Sequence, residues 1–137
     1  MKKLVACLTV GIAVVAATAF AHPMGTAKTA SAGAAAKQVT IKGELVDTGC
    51  YLGHGARGEK HKGCATKCIA NGMPMGLLTA DGTLYLLTLD HENADPYNEA
   101  KNMAAQTVEV TGTLLARNGM KAIDVTGVKS VAAAAAK

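Results

Sequence analysis

Two glycine turns between alternating apolar segments constrain the fold of this chain more than any other feature. One turn is Asp81-Gly82 and the other is Asn118-Gly119. The segments that flank them are residues 76–80, 83–89, 107–116 and 120–129. Asp-Gly and Asn-Gly favour the tight turns that join antiparallel strands. The pattern therefore predicts two β-hairpins, which supply four strands of a mostly β domain.

A fifth strand is predicted at residues 38–47, where Val39, Ile41 and Leu45 share one face of an alternating pattern. Residues 95–105, between the two hairpins, have the composition and apolar spacing of a helix. The predicted order is strand, long insert, hairpin, helix and hairpin, so the fold class is a small barrel with the helix between strands 3 and 4.

This order of elements resembles that of an OB-fold barrel, over residues 38–131. A split βαβ domain or another small barrel is the alternative. Residues 48–75 interrupt the strand pattern as a loop-rich insert between strands 1 and 2, near the place where OB-folds often bind ligands. The resemblance therefore implies a binding site at this insert.

Both ends of the chain are predicted to lie outside the barrel. Residues 1–21 combine a basic start, an apolar run and a final Ala-Phe-Ala, which is typical of a cleavable signal peptide. Cleavage would make His22 the first residue of a periplasmic or secreted protein without a transmembrane anchor. Residues 22–37 read as a flexible leader and residues 132–137 as an alanine tail.

Composition restricts the classes of function. After removal of residues 1–21 the chain has twelve basic and ten acidic residues, a net charge of +2, and its only aromatic residues are three tyrosines. Nucleic-acid binding is not expected, because it would need a strongly basic surface. No sequence motif of a known catalytic site is present, so we expect no enzyme. A domain of this size with few aromatic residues often gains stability from a disulfide or a metal.

Cysteine and histidine residues concentrate in the insert. Its ligand-type side chains are Cys50, His54, His61, Cys64 and Cys68. A short helix is predicted at residues 64–71, where i, i+4 spacing places Cys64 and Cys68 on one face. We expect them to meet Cys50, with His61 as the best fourth ligand. Three thiolates and an imidazole suit Zn²⁺, and thiolates equally suit Cu(I).

Four further residues are secondary candidates for the same metal: His54, Met73, Met75 and His22. The two methionines follow the cysteines, and thioethers suit Cu(I), although methionine is also a common core residue. His22 would offer an amine and an imidazole to Cu(II) if it begins the mature chain. His54 lies among glycines in the insert.

The Cys-x3-Cys pair resembles that of the copper chaperones of cytochrome oxidase assembly and of the binuclear copper site of that enzyme. The likeness covers the pair alone. The oxidase pattern has His and Met after the second cysteine, whereas here His61 precedes Cys64 and Met73 follows Cys68 without a histidine between them. This departure argues against a binuclear copper site of that kind.

Two other interpretations remain open for the cysteines. In an oxidising compartment, Cys50 could form a disulfide with Cys64 or Cys68 and anchor the insert of a binding module, with one thiol left over. Alternatively, Cys64, near a helix start and several lysines, could exchange disulfides. The partner is a metal ion in the first hypothesis and another exported protein in the second.

Overall fold

The computed structural model of the protein describes residues 37–131. The predicted signal peptide, His22 with the rest of the leader up to residue 36, and the alanine tail lie outside the described residues. Lys37, which the sequence assigned to the leader, is the first residue of a strand. Within the described range, no helix is long and apolar enough to cross a membrane.

Five strands and three short helices make up this part of the chain. They are β1 (Lys37–Asp47), α1 (Thr48–His54), α2 (Lys62–Ala70), β2 (Met75–Leu78), β3 (Leu84–Leu89), α3 (Asp95–Ala100), β4 (Thr107–Arg117) and β5 (Met120–Ser130). A 3-10 turn at Glu59–His61 leads into α2, and another at Lys101–Met103 follows α3. The five predicted strands are confirmed to within two residues at each end.

The strands form one closed barrel in the order β1-β2-β3-β5-β4, with β4 paired back to β1. Every neighbouring pair is antiparallel except β3 and β5, which run parallel from Leu86 opposite Ala122 to Leu89 opposite Val125. The predicted mostly β, five-stranded barrel is therefore confirmed, with α3 between β3 and β4 as expected.

Strand β1 closes the barrel by pairing with two different strands. Its first part, from Lys37 to Glu44, pairs with β4, and its last part, from Glu44 to Asp47, pairs with β2. Gly43 lies where the strand changes partner, and a Cβ at this position would come 2.6 Å from the backbone oxygen of Leu78. Only glycine therefore permits this close approach of β2 to β1.

We expect Gly43→Ala to lower the free energy of unfolding by about 1–3 kcal/mol, because the added methyl group must displace backbone rather than a flexible side chain. Chemical denaturation followed by far-UV circular dichroism measures the change.

Gly63→Ala is the matched control, since a Cβ there meets no atom within 4 Å and the residue lies in α2. Its stability should stay the same or rise by up to about 1 kcal/mol, as alanine favours a helix over glycine. Equal stability of the Gly43→Ala variant and the wild type would contradict the close approach.

The core of the barrel is aliphatic and continues into α2. Its fully buried residues include Leu45, Leu77, Val108, Val110, Ile123 and Val125. Ala65 and Ile69 of α2 belong to the same cluster and are 2% and 3% exposed. Since these two residues are four positions apart, one stripe of α2 packs on the barrel, and the preceding positions, Cys64 and Cys68, form the neighbouring stripe.

Candidate metal centre

The insert between β1 and β2 is more helical than the sequence predicted. Residues 48–54 were expected as loop, but they form α1, which begins after Asp47 and ends at Gly55 with φ of +66°. Asp47 caps this helix: its Oδ1 accepts from the backbone N–H of Gly49 at 2.8 Å and of Cys50 at 3.4 Å. An aspartate cap and a left-handed glycine are typical helix boundaries. The helix places Cys50 one turn beyond the end of β1.

One contact joins the two ends of the insert, and a second attaches its middle to β1. The backbone N–H and the hydroxyl of Thr48 both donate to the carbonyl of Pro74, at 3.0 Å and 2.9 Å. The backbone N–H of Gly58 donates to the side-chain carboxylate of Glu44. The second contact returns the chain towards β1 just before the 3-10 turn that carries His61. As a result, α1, this turn and α2 converge on the last residue of β1.

The three cysteines of the insert meet as predicted. The sulfur atoms of Cys50, Cys64 and Cys68 all lie within 4.8 Å of one another. Cys64 and Cys68 are 3.9 Å apart, whereas a disulfide bond is about 2.05 Å long. All three are free thiols; Cys64 is exposed and the other two are half-buried. A disulfide anchor is therefore not seen among the described residues.

Sequence reasoning missed one acidic residue at this site. The sequence suggests that Asp47 merely ends a strand, but its side chain is only 1% exposed, and it forms a second group with Cys50 and His61 whose ligand atoms lie within 4.8 Å of one another. A signal was available, because Asp47 has the same parity in β1 as Val39, Ile41 and Leu45 and so points to the buried face. His61 joins the site through this second group.

Two buried polar atoms at the site lack a hydrogen-bond partner within the described part of the chain. They are Oδ2 of Asp47 and Nε2 of His61. Buried polar atoms without partners are costly and rare in folded proteins. Both atoms are of the type that ligates metal ions, and both belong to residues beside Cys50. A cation bound among these side chains would supply the missing partner of each, so the residues present fit a metal ion.

The acidic and thiol groups influence one another. Burial alone would raise the pKa of the Asp47 carboxyl, but the Cys50 side chain and the backbone N–H groups of Cys50 and Gly49 outweigh it and lower this pKa below its usual value. The adjacent Asp47 carboxylate, together with burial, raises the pKa of Cys50 to about 12. Burial and the neighbouring Cys64 thiol raise the pKa of Cys68 as well. Without a metal, Cys50 and Cys68 therefore stay protonated at neutral pH.

We expect Asp47→Asn to accelerate alkylation of Cys50 by iodoacetamide at pH 8 in the metal-free protein. Only the thiolate reacts, and loss of the adjacent negative charge brings the pKa of Cys50 down towards its ordinary value. The thiolate fraction should rise about tenfold for each pKa unit recovered, and the rate about threefold, because a less basic thiolate is a weaker nucleophile. Peptide mass mapping over time gives the rate at each cysteine separately.

The control for this prediction is Asp81→Asn, which neutralises an exposed carboxylate in the turn between β2 and β3. It should leave the rate at Cys50 unchanged. A Cys50 that reacts as fast in the wild type as in Asp47→Asn would show that the carboxylate does not act on this thiol.

The secondary candidates for metal ligands in the described residues differ in their burial and in their position relative to the cysteines. Met75 is completely buried in the barrel core, where it lies opposite Asp47 in the pairing of β1 with β2, and it belongs to neither ligand group. His54 ends α1 and is exposed, outside both ligand groups. Met73 is 39% exposed and packs over Gly49, where a Cβ would come 2.7 Å from its sulfur. Met73 therefore lies against the cysteine-bearing helix α1. His22 lies outside the described residues.

Comparison with protein-family models finds no match, and comparison with curated proteins finds none either. The functional interpretation therefore depends on the chemistry of the site itself.

Proposed function

We propose that this protein is an exported, non-catalytic metal-binding protein that holds a thiophilic transition metal, Zn²⁺ in preference to Cu(I). The ligands are Cys50, Cys64 and Cys68, with His61 as the fourth. The observation that carries the proposal is the convergence of three free thiols, one of which, Cys50, also lies close to a buried His61 nitrogen without a partner in the described residues. Tetrahedral sites of three cysteines and one histidine are typical of structural Zn²⁺.

The preference for Zn²⁺ follows from the neighbours of the thiols. Cu(I) is a soft ion that thiolates and thioethers satisfy, whereas Zn²⁺ also accepts imidazole nitrogen and carboxylate oxygen. Asp47 and His61 supply these two donors beside Cys50. The resemblance of the Cys-x3-Cys pair to copper chaperones makes Cu(I) the competitor to test.

The OB-type assignment of the barrel also belongs to this proposal. It is supported by the strand order, by α3 between β3 and β4, and by the position of the site in the insert between β1 and β2. Export is supported by the signal-peptide pattern of residues 1–21. An intact mass of the exported protein that begins at His22 would support the export, and retention of residues 1–21 would oppose it.

Anaerobic titration of the reduced protein with Zn²⁺ and with Cu(I), each against a competing chelator, tests the metal site. Cys64→Ser or Cys68→Ser should weaken Zn²⁺ binding by orders of magnitude, because each removes a thiolate ligand. His61→Ala should weaken it more than His54→Ala, which is the matched control at an exposed histidine of the same insert. Wild-type binding no tighter than that of the triple Cys→Ser variant would end the proposal.

A further inference from the structure

The site contains more ligands than one zinc ion uses. Five side chains, those of Asp47, Cys50, His61, Cys64 and Cys68, contribute to the two ligand groups. Zn²⁺ in structural protein sites is almost always four-coordinate. A single ion bound by the three cysteines and His61 would not be bound by the Asp47 carboxylate. Asp47 is only 1% exposed, and its Oδ2 would then still have no partner in the described residues.

The two ligand groups overlap at one atom. Cys50 belongs to both: it completes an outer group with Cys64 and Cys68, and an inner group with Asp47 and His61. Cys64 is exposed, so the outer group faces solvent, whereas Asp47 is buried at the end of β1. A thiolate sulfur has several lone pairs and can bind two metal ions at once. Cys50, the residue that the two groups share, is therefore able to bridge two metal ions.

Charge gives an independent reason for a second ion. Metal binding removes the thiol protons, so that the three thiolates and the Asp47 carboxylate together carry four negative charges. One Zn²⁺ on the three thiolates would leave the nearly buried Asp47 carboxylate without a positive partner, and an unpaired buried charge is expensive. Two Zn²⁺ ions balance the four charges, with the His61 imidazole as a neutral ligand.

We propose that the insert holds two Zn²⁺ ions bridged by the sulfur of Cys50. The outer ion is bound by Cys50, Cys64 and Cys68, and the inner ion by Asp47, Cys50 and His61. With three protein ligands each, both ions keep a coordination position for water or an exchanging ligand, as non-structural zinc sites do. The inference rests on the proposed metal-binding function and extends it from one ion to a two-ion cluster, in which His61 binds the inner ion instead of completing the three-cysteine site.

Native mass spectrometry of the reduced protein, loaded with excess Zn²⁺ and desalted, counts the ions directly. The wild type should carry two. Asp47→Asn should carry one, because asparagine keeps an oxygen to cap α1 but lacks the charge that the inner ion needs. Asp81→Asn is the matched control and should carry two. His61→Ala, as a second variant of the inner group, should also carry one.

Co²⁺ gives a second readout that does not depend on desalting. One equivalent should give the electron paramagnetic resonance signal of an isolated high-spin ion. A second equivalent should diminish that signal in the wild type, since a shared thiolate couples the two spins, but not in Asp47→Asn.

The outcomes are distinguishable. A wild type that binds no ion refutes the proposed function itself. A wild type that binds one ion refutes the two-ion cluster and leaves the single site standing. Two ions in both the wild type and Asp47→Asn, with no coupling between two Co²⁺ ions, would overturn the inner ligand set and the bridge.

Discussion

Saturating the reduced protein with Zn²⁺ is expected to raise its midpoint of thermal unfolding by about 15–30 °C. Free ion at about a thousand times the dissociation constant stabilises a folded protein by about 4 kcal/mol. In a domain of 60–100 residues each kcal/mol corresponds to roughly 4–8 °C, and the described domain has 95 residues. Differential scanning calorimetry with and without the ion measures the shift.

The effect should be large because the insert has few apolar anchors of its own. No residue of α1 is buried, and α2 buries only Ala65 and Ile69. A metal would connect the end of β1, α1, the 3-10 turn and α2 at one point. Besides the packing of α2 and the Asp47 cap of α1, hydrogen bonds from Gly58 to Glu44 and from Thr48 to Pro74 hold these segments.

Two controls define this result. Excess EDTA should return the midpoint to that of the metal-free protein, and the triple Cys→Ser variant should show no shift with Zn²⁺. Because unfolded cysteines also bind zinc, the measured shift is a lower bound for the stabilisation of the folded state. A midpoint that Zn²⁺ leaves unchanged, under conditions where the ion is bound, would contradict a metal that connects these elements.

Much of the barrel could be predicted because local sequence rules and tertiary packing agree there. Asn118 and Gly119 adopt positive φ of 50° and 85°, as the predicted tight turn requires, and the alternation in β1 matches its buried face. Two features of the barrel join strands that are far apart in the sequence. They are the pairing of β4 with β1, which closes the barrel, and the parallel pairing of β3 with β5. The order of elements could suggest them only by analogy with a known fold.

The insert was harder to predict because its elements are short. Helix α1 contains Gly49 and Gly53, which lower helix propensity, and it forms through its cap at Asp47 and its end at Gly55. The meeting of Cys64 with Cys68 follows from helical spacing alone. The return of His61 towards Cys50 follows the contact between Gly58 and Glu44, and no sequence rule identifies that pairing.

Ile69→Ala is the second large effect that we expect, with a loss of about 2–5 kcal/mol in the free energy of unfolding. Ile69 is 3% exposed and packs in the barrel core from α2. The same helix carries Cys64 and Cys68, so loosening of its packing also disturbs two ligands. Zn²⁺ affinity should therefore fall by about tenfold, which corresponds to about 1.4 kcal/mol. Denaturation and chelator competition measure the two quantities separately.

Ile123→Ala is the matched control, because Ile123 is fully buried in the same core but lies on β5, which carries none of the proposed ligands. It should cost a similar free energy of unfolding while Zn²⁺ affinity stays at the wild-type value, in conditions where circular dichroism shows both variants folded. An equal loss of affinity in the two variants would mean that the site responds to global stability alone. A loss of Zn²⁺ affinity in Ile69→Ala alone would show that the packing of α2 on the barrel sets the positions of Cys64 and Cys68.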